Sequence, residues 1–182
     1  VDNTPVNAKY ATAGLGSTVE FKLEANVPGS ATSKLKKYAI ADKMDAGLSF
    51  NKNSVKVYYT TDASSLSAAD LVDAADYTVD APFTAKDTEY TFAVNFKADT
   101  DGYVKKIYDA DKKMVVVFNA TVNENATVGK TSNDNKVSLD YANDDTEIVE
   151  PGPTVQVFAF NLQVVKEDNG GQKLAGAKFD LF

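Results

Sequence analysis

The stretch Met114-Val-Val-Val-Phe-Asn-Ala-Thr-Val122 is a continuous apolar run rich in β-branched residues. Branched side chains pack well on a pleated surface and lose rotamer freedom in a helix, so this composition favours a strand. A run of this length without strict alternation is typical of a strand that is buried on both faces. The segment therefore predicts a central strand and makes the chain a β protein.

Stretches on both sides of this run alternate apolar and polar residues with the period of two that a half-buried strand requires. Turn-forming residues separate them, as in Val27-Pro-Gly-Ser30 and Asp99-Thr-Asp-Gly102. Many short strands at this spacing predict an all-β fold, an antiparallel Ig-like β-sandwich. The predicted strands are Val19–Ala25, Val55–Thr60, Tyr90–Phe96, Lys136–Tyr141 and Phe158–Val165.

A short helical excursion is predicted within this β framework. The segment Ser64–Ala75 has serines that can cap a helix at its start, and its apolar residues fall roughly on one helical face. Those apolar residues are Leu66, Ala69, Val72 and Ala75.

A domain boundary is predicted at Glu150-Pro-Gly-Pro153, because two prolines in four positions interrupt regular ladder bonding. The sequence thus predicts a first domain over residues 1–152. Residues 153–182 are too few to bury a core of their own. They are either the truncated start of a second domain or terminal strands that pack on the first.

The composition excludes several classes of function. The chain has no Cys and no His, which removes disulfides, thiolate catalysis and the commonest general base and metal ligand. A net charge of −7 opposes nucleic-acid binding, and no apolar run is long enough for a membrane span. No cofactor and no metal are expected. A carboxylate-based hydrolase or a calcium module is a remote alternative, since Asp99–Gly102 and Asn143–Asp145 fit turn chemistry better than a calcium loop.

Three motifs resemble the fimbrial isopeptide-forming domain of streptococcal backbone pilins. Tyr38-Ala-Ile-Ala-Asp-Lys-Met-Asp-Ala-Gly-Leu-Ser-Phe50 resembles the pattern Y-x-(I/V)-x-D-x-(M/L)-x-x-G-L-x-F of that family. Asn135-Lys-Val-Ser-Leu-Asp-Tyr141 is similar to its N-x-(V/A)-x-L-x-Y strand, and Gly14-Leu-Gly-Ser-Thr-Val-Glu-Phe21 to its opening strand. In the order in which they occur, the motifs cover most of residues 10–150.

The tail resembles a second module. Phe160–Phe182, which ends in Leu-Ala-Gly-Ala-Lys-Phe-Asp-Leu-Phe, is similar to the start of a collagen-adhesin B-type repeat with its L-x-G-A-x-F-x-L hairpin. A fimbrial domain followed by a B-type repeat is the arrangement of backbone pilins. The resemblance implies that Lys166 is the cross-linking lysine of this repeat and that its partners lie beyond Phe182.

The resemblance also implies an internal Lys–Asn isopeptide bond in the first domain. By its position in the motif, Asn135 corresponds to the cross-linking Asn and Asp42 to the acidic group that hydrogen-bonds the Asn carbonyl and shuttles protons. Asp45 is a weaker candidate for that acid. Lys9 is the only lysine before Gly14 and is the candidate nucleophile, unless the lysine lies upstream of Val1. Burial would keep the lysine neutral and the acid protonated.

The expected function is therefore that of a structural backbone subunit of an extracellular, cell-wall-attached pilus. It is not an enzyme, apart from one autocatalytic bond formation. Its expected partners are neighbouring pilin subunits, joined by sortase-mediated assembly, and host surface ligands. Neither the polymerisation lysine motif nor the sorting signal occurs in residues 1–182. The alternative is a cell-wall-anchored adhesin module that binds a host protein or glycan through residues 64–76 and Asp99–Asp101.

Overall fold

The computed structural model describes residues 10–27, 34–105, 109, 111–143, 146–161 and 166–173. Eleven strands lie within these ranges, and the predicted all-β sandwich is confirmed. The longest helix in the described ranges has three residues, so none is long and apolar enough to cross a membrane. The strands are β1 Tyr10–Gly14, β2 Thr18–Asn26, β3 Lys37–Met44, β4 Leu48–Thr60, β5 Tyr77–Asp80, β6 Phe83–Ala85, β7 Thr88–Tyr90, β8 Phe92–Phe96, β9 Lys113–Val122, β10 Asn133–Ala142 and β11 Glu147–Phe160.

Two sheets form the sandwich. A six-stranded sheet has the order β1-β11-β10-β3-β8-β5, and a three-stranded sheet has the order β2-β9-β4. All neighbouring strands are antiparallel except β1 and β11, which run parallel. The apolar run that begins at Met114 forms β9, the central strand of the smaller sheet, as its composition predicts.

The core between the sheets is built around aromatic rings from both. Phe92 of β8 stacks on Phe50 of β4 with ring centroids 3.9 Å apart and meets Phe118 of β9 edge-on at 4.9 Å. Phe118 also stacks on Phe21 of β2. Because these rings come from four strands and both sheets, their packing holds the two sheets together around an apolar interior.

A β-hairpin covers part of the outer face of the larger sheet. Strands β6 and β7 pair with each other, and Lys86 and Asp87 both adopt positive φ in the two-residue turn between them, as such a turn requires. Tyr90 of the hairpin packs in one cluster with Ala41 of β3 and Ala93 of β8. Strand β3 is therefore buried on both of its faces.

The segment Ser64–Ala75 differs from the predicted helix. It contains one short 3₁₀ helix, Ala68–Asp70, and leads into a second, Ala74–Asp76. Between them Leu71 forms a bridge to Tyr58 of β4, and its side chain is 46% exposed. Pairing with the edge of β4 satisfies the backbone there, so it overrides the local helical periodicity.

Strand β11 runs through the predicted domain boundary. Pro151 pairs with Ser138 and Thr154 pairs with Lys136, which leaves a bulge at Gly152 and Pro153. A Cβ on Gly152 would lie 2.7 Å from the Val137 side chain, so the bulge needs glycine at this position.

The prolines fit because this half of β11 is an edge. In the described part of the chain β1 pairs only with residues 156–160 of β11, so the opposite side of Pro151 and Pro153 carries no ladder. Within residues 153–160, β11 thus continues its pairing with β10 and β1. The division of the chain into two domains stays a prediction, because residues 162–165 and 174–182 lie outside the described ranges.

The stacked rings make Phe118 the most consequential core residue to truncate. We expect Phe118→Ala to lower the free energy of unfolding by about 3–5 kcal/mol, since a fully buried ring leaves a cavity between two rigid sheets. Phe160→Ala removes the same atoms from a side chain that is 58% exposed and should cost much less. Urea unfolding of both variants measures the difference, and equal losses would contradict this account of the core.

Candidate functional site

Asp42 and Asn135 come together inside the sandwich. Asp42 is on β3 and Asn135 on β10, and the two strands are antiparallel neighbours. Val137 lies directly opposite Asp42, so Asn135, two residues earlier, occupies the diagonal position on the same face. The side chains of Asp42 and Asn135 are almost completely buried, at 0% and 1% exposure.

One hydrogen bond joins the pair. Asn135 Nδ2 donates to Asp42 Oδ2 over 3.0 Å. The remaining oxygens, Asp42 Oδ1 and Asn135 Oδ1, are buried and have no hydrogen-bond partner among the described residues. The contact runs through the amide nitrogen of Asn135, whereas the sequence led us to expect one to its carbonyl oxygen. Buried polar atoms almost always have a hydrogen-bond partner. The two unpaired oxygens of Asp42 and Asn135 are therefore an unusual feature of the core.

The protonation state of Asp42 follows from its burial. Loss of solvation raises the pKa of the carboxyl from 3.8 to about 8, and the hydrogen bond from Asn135 lowers it only in part. Phe92 lies directly opposite Asp42 on β8, and Phe50 is stacked on that ring. These apolar neighbours exclude water, so Asp42 is a neutral acid at pH 7 that can donate a proton.

The other predicted site residues are not part of this pair. Lys9 lies outside the described residues. Lys166 is exposed next to a short turn, which is closed by an isolated antiparallel β-bridge between the backbones of Glu167 and Lys173. Asp45 is exposed in the β3–β4 turn and accepts a hydrogen bond from the backbone of Asp134 rather than from Asn135. The cross-linking roles of Lys9, Asn135 and Lys166 and the catalytic role of Asp42 stay predictions.

A second buried carboxyl, which the sequence did not predict, lies on the opposite face of β10. Asp140 is 0% exposed, and Lys37 Nζ lies 2.6 Å from its Oδ2 and 2.5 Å from Glu147 Oε1. Neither oxygen of Asp140 has a hydrogen bond of good geometry among the described residues, so the attraction is that of an ion pair. Alternation along β10 alone would place Asp140 on the solvent-facing side of the sheet. The β6–β7 hairpin covers that side, and because this contact joins distant parts of the chain, the local sequence pattern does not predict it.

Lys37 in this cluster is unsuited to nucleophilic attack. Burial lowers the pKa of Lys37, but the close contacts with Asp140 and Glu147 and their charges outweigh it, and the net shift is upward. The side chain is also 34% exposed. An ammonium has no free electron pair, so this cluster acts as an ion pair that supports the hairpin.

Several solved structures with the same architecture are pilus proteins. The chain superposes on the 35 kDa C-terminal fragment of the major pilin GBS80 of Streptococcus agalactiae with a TM-score of 0.64 and 21% identity, covering 92% of this chain and 57% of that one. Domains D2 and D3 of the major pilin SpaD of Corynebacterium diphtheriae give 0.63 and 22%, covering 88% and 54%. The pilus backbone protein RrgB of Streptococcus pneumoniae gives 0.55 and 23%, covering 76% and 47%.

The fold is that of Gram-positive major pilins. The resemblance that the sequence motifs indicate is thus confirmed at the level of structure. The chain spans about half the length of these three structures. No family model matches the sequence, and no curated protein matches it.

The raised pKa of Asp42 makes stability depend on pH. The folded state holds the Asp42 proton more tightly than the unfolded state, so this group stabilises the fold fully below about pH 4, and the contribution is lost as pH rises through about 8. In a Lys9→Ala background, which cannot form the expected bond, we expect Asp42→Asn to abolish this loss. The measurement is the free energy of unfolding at intervals from pH 4 to pH 9. A difference between the two proteins that does not change with pH would contradict a buried, neutral Asp42.

Proposed function

We propose that the chain is a backbone subunit of a covalently assembled, cell-surface pilus, and that its first domain is tied by an isopeptide bond between Lys9 and Asn135. The observation that carries the proposal is the buried pair of Asn135 and Asp42, 3.0 Å apart, with one oxygen of each left unpaired among the described residues. Unpaired buried oxygens cost stability, and a carboxyl whose pKa burial shifts strongly is typical of functional sites.

The register of the sheet supports Lys9 as the amine. Asn135 lies opposite Val155 on β11, and β1 begins with Tyr10 opposite Gln156. The described part of β1 thus begins one residue from the row of Asn135 and Val155, two strand spacings from β10, which is about 10 Å. Lys9 is the residue before Tyr10 in the sequence, which makes it the candidate amine for this row.

The alternation of β1 supports the same choice. Ala13 is buried, whereas Tyr10 is 58% exposed and Thr12 is also exposed. Ala11 and Ala13 therefore mark the side of β1 that faces the interior, from which an amine would have to approach Asp42. An amine taken into that interior loses its solvation, which favours the neutral, nucleophilic form.

The proposed reaction is a transamidation that occurs once per molecule. The neutral amine of Lys9 attacks the side-chain carbonyl carbon of Asn135, and a new C–N bond forms. Asp42 donates its proton to Asn135 Nδ2, the atom to which it is hydrogen-bonded, and accepts the proton that the amine releases. The old C–N bond breaks, ammonia leaves, and Asp42 is again protonated. Proximity supplies most of the rate, because Asp42 and Asn135 are held together in one packed core that the amine has only to reach.

The purpose of the bond follows from its place in the sheet. A tie between β1 and β10 spans the neighbouring strands β1, β11 and β10, so the N-terminal part of the domain cannot peel away. It needs no cysteine and does not depend on the redox state, which suits a cell-surface polymer without Cys. We propose that residues following β11 begin the next domain of the subunit, with Lys166 as its cross-linking lysine. Subunits are proposed to be joined by sortase.

Intact mass spectrometry tests the bond directly. We expect the purified chain to weigh about 17 Da less than its sequence mass, since one ammonia leaves for each bond formed. Lys9→Ala, Asn135→Ala and Asp42→Ala should each restore the sequence mass. Lys166→Ala is the matched control and should retain the loss. A wild-type chain at its full sequence mass contradicts the proposed bond.

The bond should also change how the domain unfolds. The proposed cross-link closes a loop of roughly 126 residues (135 − 9), which stabilises by about 5 kcal/mol in the chain-entropy account. We expect Asn135→Ala to lower the melting temperature and to make the chain sensitive to protease at temperatures that the wild type survives. Val155→Ala, in the same row but without a reacting group, is the comparison. An equal loss of protease resistance in both variants would speak against a covalent tie.

A further inference from the structure

The turn between β3 and β4 is locked against the start of β10 by backbone and side-chain contacts. Asp45 N donates to Asp134 O over 2.9 Å, and Asp134 N donates back to Asp45 Oδ2 over 2.8 Å. Asp45 follows Met44, the residue opposite Asn135 in the ladder. The reciprocal pair thus extends the β3–β10 ladder beyond the strand, immediately next to the row that contains Asn135.

Gly47 brings the same turn into close contact with β10. A Cβ on Gly47 would lie 2.3 Å from Asn133 Oδ1 and 2.5 Å from Ala126 Cα, so the side-chain amide of Asn133 occupies the space that any other residue would need. Gly47 does not have a positive φ. The requirement for glycine is therefore one of space rather than of backbone conformation.

Asn133 connects this contact to the rest of the sheet. Its Oδ1 accepts from Thr127 N at 2.9 Å, and its Nδ2 donates to Thr127 O and to Val157 O at 3.0 and 3.1 Å. Val157 is opposite Asn133 on β11 and pairs with Ala11 on β1. One buried amide thus fixes β10 to β11 two residues along the strand from the row of Asn135 and Val155.

These contacts hold β10 on both of its sides, against β3 and against β11, and so fix the position of Asn135. Asp45 and Gly47 hold β10 against β3, which sets Asn135 against Asp42. Asn133 holds β10 against β11, which fixes the position of Asn135 relative to β11 and to β1, the strand that pairs with β11. In a strand, a slip of one residue moves a side chain to the opposite face. A smaller shift of about 1 Å is enough to slow a proximity-driven reaction about a hundredfold.

We propose that Asp45 and Gly47, together with Asn133, form a register clamp whose role is to position Asn135 for isopeptide formation. Asp45 is then a positioning residue and does not take part in proton transfer, which separates it from Asp42. This inference rests on the proposed function, because it concerns the rate of the reaction proposed there.

The test uses a matched pair of substitutions at the exposed Asp45. Asp45→Ala removes the acceptor for Asp134 N, whereas Asp45→Asn retains an oxygen in the same position. Gly47→Ala forces a Cβ against Asn133, and Gly14→Ala, where the nearest atom to a Cβ is 3.5 Å away, is its control. The fraction of cross-linked chain is followed by intact mass at intervals after cell-free synthesis.

We expect Asp45→Ala and Gly47→Ala to form the bond about tenfold to a hundredfold more slowly than wild type, and Asp45→Asn and Gly14→Ala to remain close to it. Val57→Ala, buried on β4 away from the clamp, lowers stability without moving Asn135 and should cross-link at the wild-type rate. Clamp variants that react as fast as wild type, or are slowed no more than Val57→Ala, would overturn the proposal.

A second measurement separates this inference from the proposed function. In the Lys9→Ala background no bond can form, and the side-chain amide resonances of Asn135 report its hydrogen bond to Asp42. Asp45→Ala and Gly47→Ala should shift these resonances and speed their exchange with water, whereas Asp45→Asn should not. If wild type shows no mass loss, the proposed function fails. The positioning of Asn135 by the clamp is then tested by the amide resonances alone, and clamp variants that leave these resonances unchanged would overturn it.

Discussion

The burial of one carboxyl group in an apolar core is the constraint on which the rest of this structure depends. Asp42 is excluded from water by the Phe92 ring opposite it and the Phe50 ring stacked on that ring. An ionised carboxylate there would cost several kcal/mol, so the group retains its proton. The neutral acid still needs partners. Among the described residues Asn135 alone supplies one, and two buried oxygens stay unpaired.

A fold tolerates such a site only when the surrounding structure holds it in place. The β3–β10 ladder pairs eight residues on each strand without a bulge, and the turn after β3 extends that pairing. The irregularity in this sheet lies on the other side of β10, where β11 bulges at Gly152. The regular ladder is thus the one that joins Asp42 to Asn135. The bulge lies where an edge strand can absorb it.

Local sequence patterns predicted β2, β4, β8, β9, β10 and the end of β11, because burial of one face or both leaves a signature in adjacent residues. They did not predict β1, β3, β5 or β6. The alternation of Val19–Ala25 and the apolar run from Met114 both became strands with few changes at their ends. Asp42 and Asn135 were found from family motifs, and the structure brought them together across 93 residues. The pairing of Leu71 with β4 and the course of β11 through Pro151 were not predictable locally. Both depend on which edge of a strand is paired with a neighbouring strand, and this pairing is set by long-range contacts in the assembled sheet.

The two buried carboxyls of this sheet show how position selects chemistry. Asp42 and Asp140 belong to the same β3–β10 ladder but point to opposite faces, and both are fully buried. Asp140 lies under a small hairpin at the rim, where the half-exposed Lys37 reaches it and supplies a counter-charge. Asp42 lies between two sheets, where a charged lysine would lose its own solvation, so neutralisation by a proton is the cheaper solution. The face of the ladder therefore decides how each buried carboxyl is neutralised. At the rim a lysine forms an ion pair with Asp140, and in the interior a proton keeps Asp42 uncharged.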